Sequence, residues 1–382
     1  MRYEIEGSWD LNDPVHETLT LFTLRAALKR ILARNMNDLD NQILGDLHPM
    51  VLPANSKYIS RYEFKPKAVP ATTSEFIRGV IWPDDPKCYL FTCDRGLSNY
   101  SDGVLWAAEF KALGTPRHTQ LSLNQMLIAR SHFGDLQFLH AMATKPGEAP
   151  QKTRQKVLEW ARFNIEIASG RIDPDTPLKD IKNIPIIQES FVNFRPLPVK
   201  QGLSAQRIFG AVIEAYMHGS ALAATGHLKA PSEILNYAGA SFGEWSTRSL
   251  LSGGVNRGKK LSNIDIRRRS TGILLHLIQD SFAEGHTERE PGYGPIRQFH
   301  DYGAQDPHKH SSKDSMGEGK TTKEQIDLIP GAAKAIEAGA YLVAMLEETA
   351  TPDRIMNHLE NNVFKLSKNA KPAGPGDSFK KP

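Results

Sequence analysis

Residues 274–286 read LLHLIQDSFAEGH, and the class of fold and the chemistry of the chain both follow from this stretch. Its apolar residues recur at helical spacing, which places His276 and Asp280, four residues apart, side by side on one face. Gly285 is typical of a helix end and would turn the chain back before His286. The spacing HxxxDxxxxxH thus offers two metal ligands from a helix and a third from just beyond it. The alternative is a buried His–Asp pair next to an unrelated surface histidine.

Apolar residues at helical spacing recur along most of the chain. The pattern predicts long helices over residues 15–35, 119–143, 151–169, 204–226, 231–251, 264–283 and 326–349. Alternation typical of strands occurs only at residues 57–63, 76–82 and 87–93. The sequence therefore predicts an all-α fold of several helices with long loops and at most a small accessory sheet.

Stretches rich in Pro, Gly and Asp interrupt the helical pattern and suggest insertions within one domain. We expect a single α-helical catalytic domain over residues 1–364, with insertions at about 48–73, 86–105 and 170–203. Residues 365–382 contain almost no apolar side chain whose burial would offset the entropy lost on ordering. We expect them to form a flexible tail.

The chain has 382 residues, with 47 Lys and Arg against 43 Asp and Glu, a formal net charge of +4. An apolar share of 40% and a charged share of 24% are typical of a soluble globular protein. No stretch approaches the ~20 apolar residues of a membrane-spanning helix, and residues 1–30 show no secretory signal. We therefore expect a cytoplasmic protein, or one exported by a signal-independent route, such as a secreted effector or toxin. The mild charge does not argue for nucleic acid binding.

Cysteine contributes little to any metal site in this sequence. Cys88 and Cys93 are the only two cysteines, too few for a four-thiolate zinc site. Imidazole and carboxylate groups must therefore bind any metal, and the 13 histidines become the informative residues. The phrase EGKTTKEQ lacks the upstream glycine spacing of a phosphate-binding loop, so no nucleotide cofactor is expected.

A polar loop downstream of the first motif reads FHDYGAQDPHKHSSKD, residues 299–314. His310 and Asp314 repeat the four-residue spacing of His276 and Asp280, and His308 or His300 could take the place of His310. A plain solvated loop is the alternative. Three imidazoles with nearby carboxylates are nevertheless the ligands that a multinuclear zinc site requires. We expect the longer polar loop that contains it, residues 290–325, to form one wall of a cleft.

Three upstream segments add further candidate ligands. Trp9 and His16 lie near the start of the first helix, Asp84 follows a short apolar run in GVIWPDD, and His132 lies in ARSHFGD. Taken singly, each has a structural explanation as a helix cap, a turn residue or a core histidine. Their order along the chain gives them weight as a set.

In that order the motifs resemble the zinc-dependent phospholipase C family, which is related to the single-strand-specific zinc nucleases. The resemblance extends from residue 9 to residue 314, as short motifs separated by insertions. It implies two or three zinc ions, with the ligands Trp9, His16, Asp84, His132, His276, Asp280, His286, His310 and Asp314. It also implies that Asp280 bridges two ions.

Two positions depart from the family pattern. The family's tryptophan is the first residue of the mature chain, whereas eight residues precede Trp9. Trp9 would offer a free amine to an ion only if those residues were removed. An aromatic residue follows the aspartate in the classical phospholipases, but Asp85 stands in that place here. Head-group recognition therefore differs from the family pattern.

The function that the resemblance implies is a phospholipase C acting at a phospholipid membrane surface. It would hydrolyse phosphatidylcholine-type glycerophospholipids to diacylglycerol and a phosphorylated head group. We expect Asp84 to be the catalytic residue that orients or deprotonates the attacking water. One alternative is a zinc nuclease on single-stranded DNA or RNA, which needs aromatic platforms and a basic groove. A second is a non-catalytic interaction protein whose zinc is fully enclosed by protein ligands.

Overall fold

The computed structural model of the protein describes residues 15–33, 71–86, 127–193, 244–253, 261–306, 309–310 and 328–381. These residues are mostly helical and include one two-stranded sheet, which confirms the all-α prediction. The helices are α1 (Val15–Ala33), α2 (Ala71–Ile81), α3 (Leu127–Phe133), α4 (Pro150–Ala168), α5 (Pro185–Ile187), α6 (Thr247–Leu251), α7 (Asn263–Phe282), α8 (Ala332–Glu347) and α9 (Pro352–His358). The strands are β1 (Thr287–Arg289) and β2 (Ile296–Phe299), paired antiparallel.

Helix α7 is the central element, and local sequence defines where it begins. The Ser262 hydroxyl accepts a hydrogen bond from the Asp265 N–H, while the Asp265 carboxylate accepts one from the Ser262 N–H. This reciprocal capping box satisfies two N–H groups that a helix start leaves without partners. Beyond its first turns α7 is buried almost all round, as is typical of a helix inside a larger core. Helices α1, α2, α4 and α8 pack against it.

Helices α2 and α7 cross in direct backbone contact because a glycine from each lies at the crossing. A Cβ on Gly79 would lie 2.1 Å from the Arg269 carbonyl oxygen, and one on Gly272 would lie 2.2 Å from the Phe76 carbonyl oxygen. A buried ion pair, Arg269 Nε to Glu75 Oε2 at 2.5 Å, lies beside the crossing. The close approach brings the backbone of α2 within reach of the side chains on α7.

The predicted strands are not where the sheet lies. Residues 76–82 belong to α2 and its end, because a short apolar run fits a buried helix as well as a strand. Residues 57–63 and 87–93 lie outside the described residues. The observed sheet lies instead at the start of the predicted cleft loop 290–325: β2 falls within that loop, and β1 directly precedes it. Its register shifts between Glu288 and Arg289.

Several helix and insertion boundaries also differ from the prediction. The expected helix 119–143 is divided into α3 and a 3₁₀ turn, Gln137–His140, which ends at Ala141 with a left-handed φ of 52°. The expected insertion 170–203 contains α5 and short turns, and α2 begins inside the expected insertion 48–73. The predicted helix 204–226 lies outside the described residues.

The C-terminal segment packs against the domain and is not the flexible tail that its composition predicts. Residues 365–381, named here the C-terminal strap, form isolated bridges with Ile296, His300 and Gln305. The Phe379 side chain is buried, and its carbonyl oxygen accepts a hydrogen bond from the backbone of the 300s loop. Backbone hydrogen bonds and one aromatic anchor thus replace the apolar content that the sequence lacks.

None of the described helices combines the length and the apolar character that a membrane crossing requires.

Candidate metal centre

Helix α7 presents the two side chains of the HxxxD motif toward the interior, and both are 0% exposed. His276 Nδ1 donates to the Val80 carbonyl oxygen at 2.6 Å, a contact made possible by the close α2–α7 crossing. His276 Nε2 therefore faces Asp280 Oδ2, at 2.8 Å. Since the Val80 carbonyl oxygen and the Asp280 carboxylate both accept hydrogen bonds, they favour a proton on each ring nitrogen, or a cation in place of the proton at Nε2. This arrangement fits a metal ligand oriented by an outer carbonyl group.

His16 on α1 completes a first set of candidate ligands. Its Nδ1 donates to Gln279 Oε1 at 2.8 Å, and its Nε2 lies 3.4 Å from Asp280 Oδ1. The His16 ring stacks on His276 with centroids 4.3 Å apart. One ligand atom from each of His16, His276 and Asp280 lies within 4.8 Å of the other two, and we name these three residues the α7 group.

A second set lies beside the first and comes from three short segments. Asp84 follows α2 in a turn in which its N–H donates to the Ile81 carbonyl oxygen. His132 is in the last turn of α3, with Nε2 3.5 Å from Asp84 Oδ1. His140 ends the 3₁₀ turn. The ligand atoms of Asp84, His132 and His140 also lie within 4.8 Å of one another, and all three side chains are buried; we name them the α3 group.

His140 is a residue that the sequence reasoning missed, and it joins the two groups. Its Nδ1 lies 3.0 Å from Asp280 Oδ2 and 2.9 Å from His276 Nε2. Its Nε2 is buried and makes no hydrogen bond to any of the residues that the structure describes. A continuous helix over 119–143 would turn His140 away from His132, about 80° around the axis. The break in the helix after α3 brings His132 and His140 together, and no spacing motif in the sequence indicates this break.

Beyond α7, His286 lies at the edge of the two groups. Its Nδ1 is 2.8 Å from the His140 carbonyl oxygen and 3.5 Å from Asp280 Oδ2. Its ring centroid is 5.0 Å from that of His310, and His310 Nδ1 is 2.8 Å from Gln305 Oε1. The structure therefore brings the HxxxDxxxxxH histidine and one histidine of the downstream loop to the same place.

The structure distinguishes between the candidate ligands of the downstream loop. His300 is buried next to the nitrogen of the Gln305 amide, whose oxygen contacts His310: the His300 Nδ1 donates to the Gly285 carbonyl oxygen, and its ring packs on Phe379, 5.6 Å between centroids. His310, and not His300, is thus the loop histidine next to His286. His308 and Asp314 lie outside the described residues, as does Trp9.

Burial and mutual charge shift the pKa values of the two carboxylates in the centre. Burial alone would raise the pKa of Asp280, but the imidazoles of His276, His286 and His16 and a hydrogen bond from His140 hold it well below its usual value. Burial likewise opposes ionisation of Asp84. The hydrogen bond with His132 and the nearby imidazoles nevertheless keep the pKa of Asp84 well below its usual value. Both carboxylates are therefore ionised at neutral pH.

The histidine pKa values divide in two directions. Burial lowers the pKa of His140 to about 4, despite its hydrogen bond to Asp280, so this imidazole is neutral at pH 7. Burial also lowers the pKa of His16. For His276, burial is outweighed by the charge of Asp280, which raises the pKa. A bound cation would favour the neutral form of each of these rings, which is the form that ligates metals.

The donor set could hold a metal ion. Imidazole nitrogens and ionised carboxylate oxygens converge in a buried space, and each imidazole of the α7 group has a protein acceptor at Nδ1. This combination of nitrogen and oxygen donors suits zinc better than magnesium or calcium. Comparison of the chain with protein-family models, with curated proteins and with solved structures found no match.

Proposed function

We propose that the protein is a zinc-dependent phosphodiesterase, and specifically a phospholipase C that hydrolyses glycerophospholipids. The observation that carries the proposal is the contact between the α3 group and the α7 group through Asp280 and His140. Two adjacent sets of buried imidazole and carboxylate ligands are what a centre of two neighbouring zinc ions requires.

The chemistry of phosphodiester hydrolysis matches these residues. Bound zinc would neutralise phosphoryl oxygens and lower the pKa of a coordinated water toward about 7. The Asp84 carboxylate, which is ionised at neutral pH, would hold that water or accept its proton. Asp280 contacts imidazoles of both groups and would hold the two ion positions at a constant separation. Products of the reaction on a glycerophospholipid are diacylglycerol and a phosphorylated head group.

An aromatic pair next to the centre supports a substrate with a cationic head group. The half-buried rings of Phe133 and Tyr302 meet edge to face, with centroids 5.3 Å apart. Phe133 lies beside His132 and Tyr302 beside His310, at centroid distances of 6.1 and 4.8 Å. Aromatic faces bind quaternary ammonium groups, such as the one in phosphatidylcholine.

The same aromatic pair is the observation that favours a second candidate, a single-strand-specific nuclease. Aromatic side chains also bind nucleobases by stacking, without strong preference for sequence. The net charge of +4 is small for a protein that binds a polyanion, so the nuclease ranks second.

An assay on two substrates tests the proposal. The purified protein is incubated with phosphatidylcholine vesicles or with single-stranded DNA, with and without a chelator, and zinc is then restored. We expect zinc-dependent release of diacylglycerol and no cleavage of DNA. DNA cleavage alone would favour the nuclease. Unfolding on chelation without turnover of either substrate would favour the non-catalytic zinc protein.

A matched pair of variants links turnover to the centre. Asp84→Asn removes the carboxylate proposed to handle the water, whereas Asp175→Asn removes a carboxylate that pairs with Arg248 and belongs to neither group. We expect only the first to abolish lipid hydrolysis while zinc-loaded. Equal turnover by the two variants would contradict the role of Asp84.

A further inference from the structure

The side-chain amide of Gln305 is buried and uses its nitrogen and its oxygen in different directions. Nε2 donates to the Gly285 carbonyl oxygen at 2.7 Å and to the Pro375 carbonyl oxygen at 2.8 Å. Oε1 lies 2.8 Å from His310 Nδ1. Carbonyl oxygens only accept hydrogen bonds, so the nitrogen must face them and the oxygen must face His310.

This orientation determines the tautomer of His310. Because Gln305 Oε1 can only accept, His310 Nδ1 carries the proton. The ring nitrogen that can bind a cation is therefore Nε2. Metal-bound histidines commonly have this arrangement, in which an outer acceptor holds one nitrogen and the other binds the ion.

Gln305 also connects three segments that meet at the edge of the centre. Gly285, one of its acceptors, directly precedes His286. A Cβ on Gly285 would lie 2.9 Å from His310 Nδ1, so the two segments are in close contact. Pro375, the other acceptor, belongs to the C-terminal strap. One amide thus ties His310, the His286 segment and the strap together.

We propose that Gln305 is a positioning residue that orients His310 beside His286, so that the two histidines can share a further zinc ion at the edge of the centre. The C-terminal strap holds Gln305 in turn through Pro375. This inference rests on the proposed metal centre, but it concerns residues outside the α3 and α7 groups.

The test compares two glutamines that both bind the C-terminal strap. Gln305→Leu removes the acceptor of His310, while Gln298→Leu removes a hydrogen bond to the Pro372 carbonyl oxygen and leaves His310 untouched. Zinc per chain and zinc affinity are measured on the full chain by competition with a chromophoric chelator. We expect Gln305→Leu to weaken the most loosely held ion by about 10- to 100-fold and Gln298→Leu to have no effect.

A double-mutant cycle separates positioning from a general loss of structure. In a His310→Ala background, Gln305→Leu should cause no further loss of zinc affinity, because its effect acts through His310. A further tenfold loss in that background would overturn the proposal, as would equal affinities of the Gln305→Leu and Gln298→Leu proteins. If wild-type protein bound no zinc at all, the proposed function would fail as well.

A measurement on the wild-type chain avoids any dependence on folding of the variants. Nitrogen-15 NMR of the zinc-loaded protein reports which nitrogen of each histidine ring is protonated. We expect the proton of His310 on Nδ1 and the ion on Nε2. A proton on Nε2 of His310 would overturn the inference directly.

Discussion

The centre has two parts that are held differently. Helices hold the α7 group, whereas the segments that follow α7 hold His286 and His310 at the edge. In the α7 group, ligands project from α1 and α7, and the Val80 carbonyl oxygen on α2 orients His276. At the edge, His286 and His310 come from the segments that follow α7, and the Gln305 amide, itself bound to the C-terminal strap, orients His310. In the α7 group the helices supply both outer acceptors, the Val80 carbonyl oxygen of α2 and the Gln279 side-chain oxygen of α7, whereas the edge is held by cross-links between separate segments. Substitutions in these two parts should therefore differ in their effects on zinc binding and on stability.

The largest effect is expected at Asp280, where the two groups meet. Asp280→Asn removes the charge that faces His16, His140 and His276. We expect a loss of about 3–5 kcal/mol of zinc-binding free energy, the scale for removing one partner of a buried charge pair. His16→Ala should cost less, since His16 belongs to one group. Chelator competition and lipid turnover measure both, and equal losses would contradict the bridging role of Asp280.

The helix crossing offers the next largest effect, on stability. In Gly272→Ala the new methyl group would meet the α2 backbone at 2.2 Å, so the helices must separate. We expect a destabilisation of about 3 kcal/mol or more, at the upper end for overpacking, together with weaker zinc binding as Val80 moves from His276. Gly339→Ala is the control, because its methyl would meet the side chains of Thr23 and Leu275, which can shift. Denaturant unfolding of both variants measures their stability. Equal unfolding midpoints would contradict the importance of the helix crossing.

A smaller effect is expected at His140 and would test whether this residue of the α3 group binds zinc. His140→Ala removes a ligand of the α3 group, and we expect about 100-fold weaker binding of one zinc ion. His358→Ala, which removes a histidine packed on Tyr341 outside the centre, should leave zinc affinity unchanged. Elemental analysis and chelator competition provide the comparison. Wild-type zinc affinity in the His140→Ala protein would remove His140 from the ligand set.

The smallest effect concerns the pH dependence of the free energy of unfolding and the buried side chain of His300, near the edge of the centre. Burial lowers the pKa of His300 to about 4, although the Gly285 carbonyl oxygen and Asp377 oppose this and His286 adds to it. Between pH 4 and the usual histidine pKa of 6.5 the unfolded chain binds the extra proton, so the free energy of unfolding falls as the pH falls. In metal-free protein, His300→Gln should reduce this fall by about 2 kcal/mol. Urea unfolding of the wild-type and His300→Gln proteins at pH 7 and pH 4.5 measures this difference. An equal fall in the free energy of unfolding of the two proteins would contradict the lowered pKa of His300.

Local patterns predicted the long helices well. The predicted ranges 15–35, 151–169 and 264–283 correspond to α1, α4 and α7, and the last two are shifted by one residue. Periodicity succeeds there because each helix buries a long apolar face. It fails at 76–82, where the run is too short to distinguish a strand from a buried helix. The spacing of His276, Asp280 and His286 was informative for the same reason, since it depends on one helix and its end.

The amino-acid sequence by itself determined that α7 carries a His–Asp pair on one face and that imidazole and carboxylate groups, not thiolates, must bind any metal. The tertiary structure alone decided that His140 joins the two groups, that His310 and not His300 lies beside His286, and that the C-terminal strap is ordered through Phe379. The reason is physical. Spacing within a helix is fixed by its own hydrogen bonds, whereas contacts between a broken helix, a loop and the distant C-terminal strap depend on packing that no local pattern records.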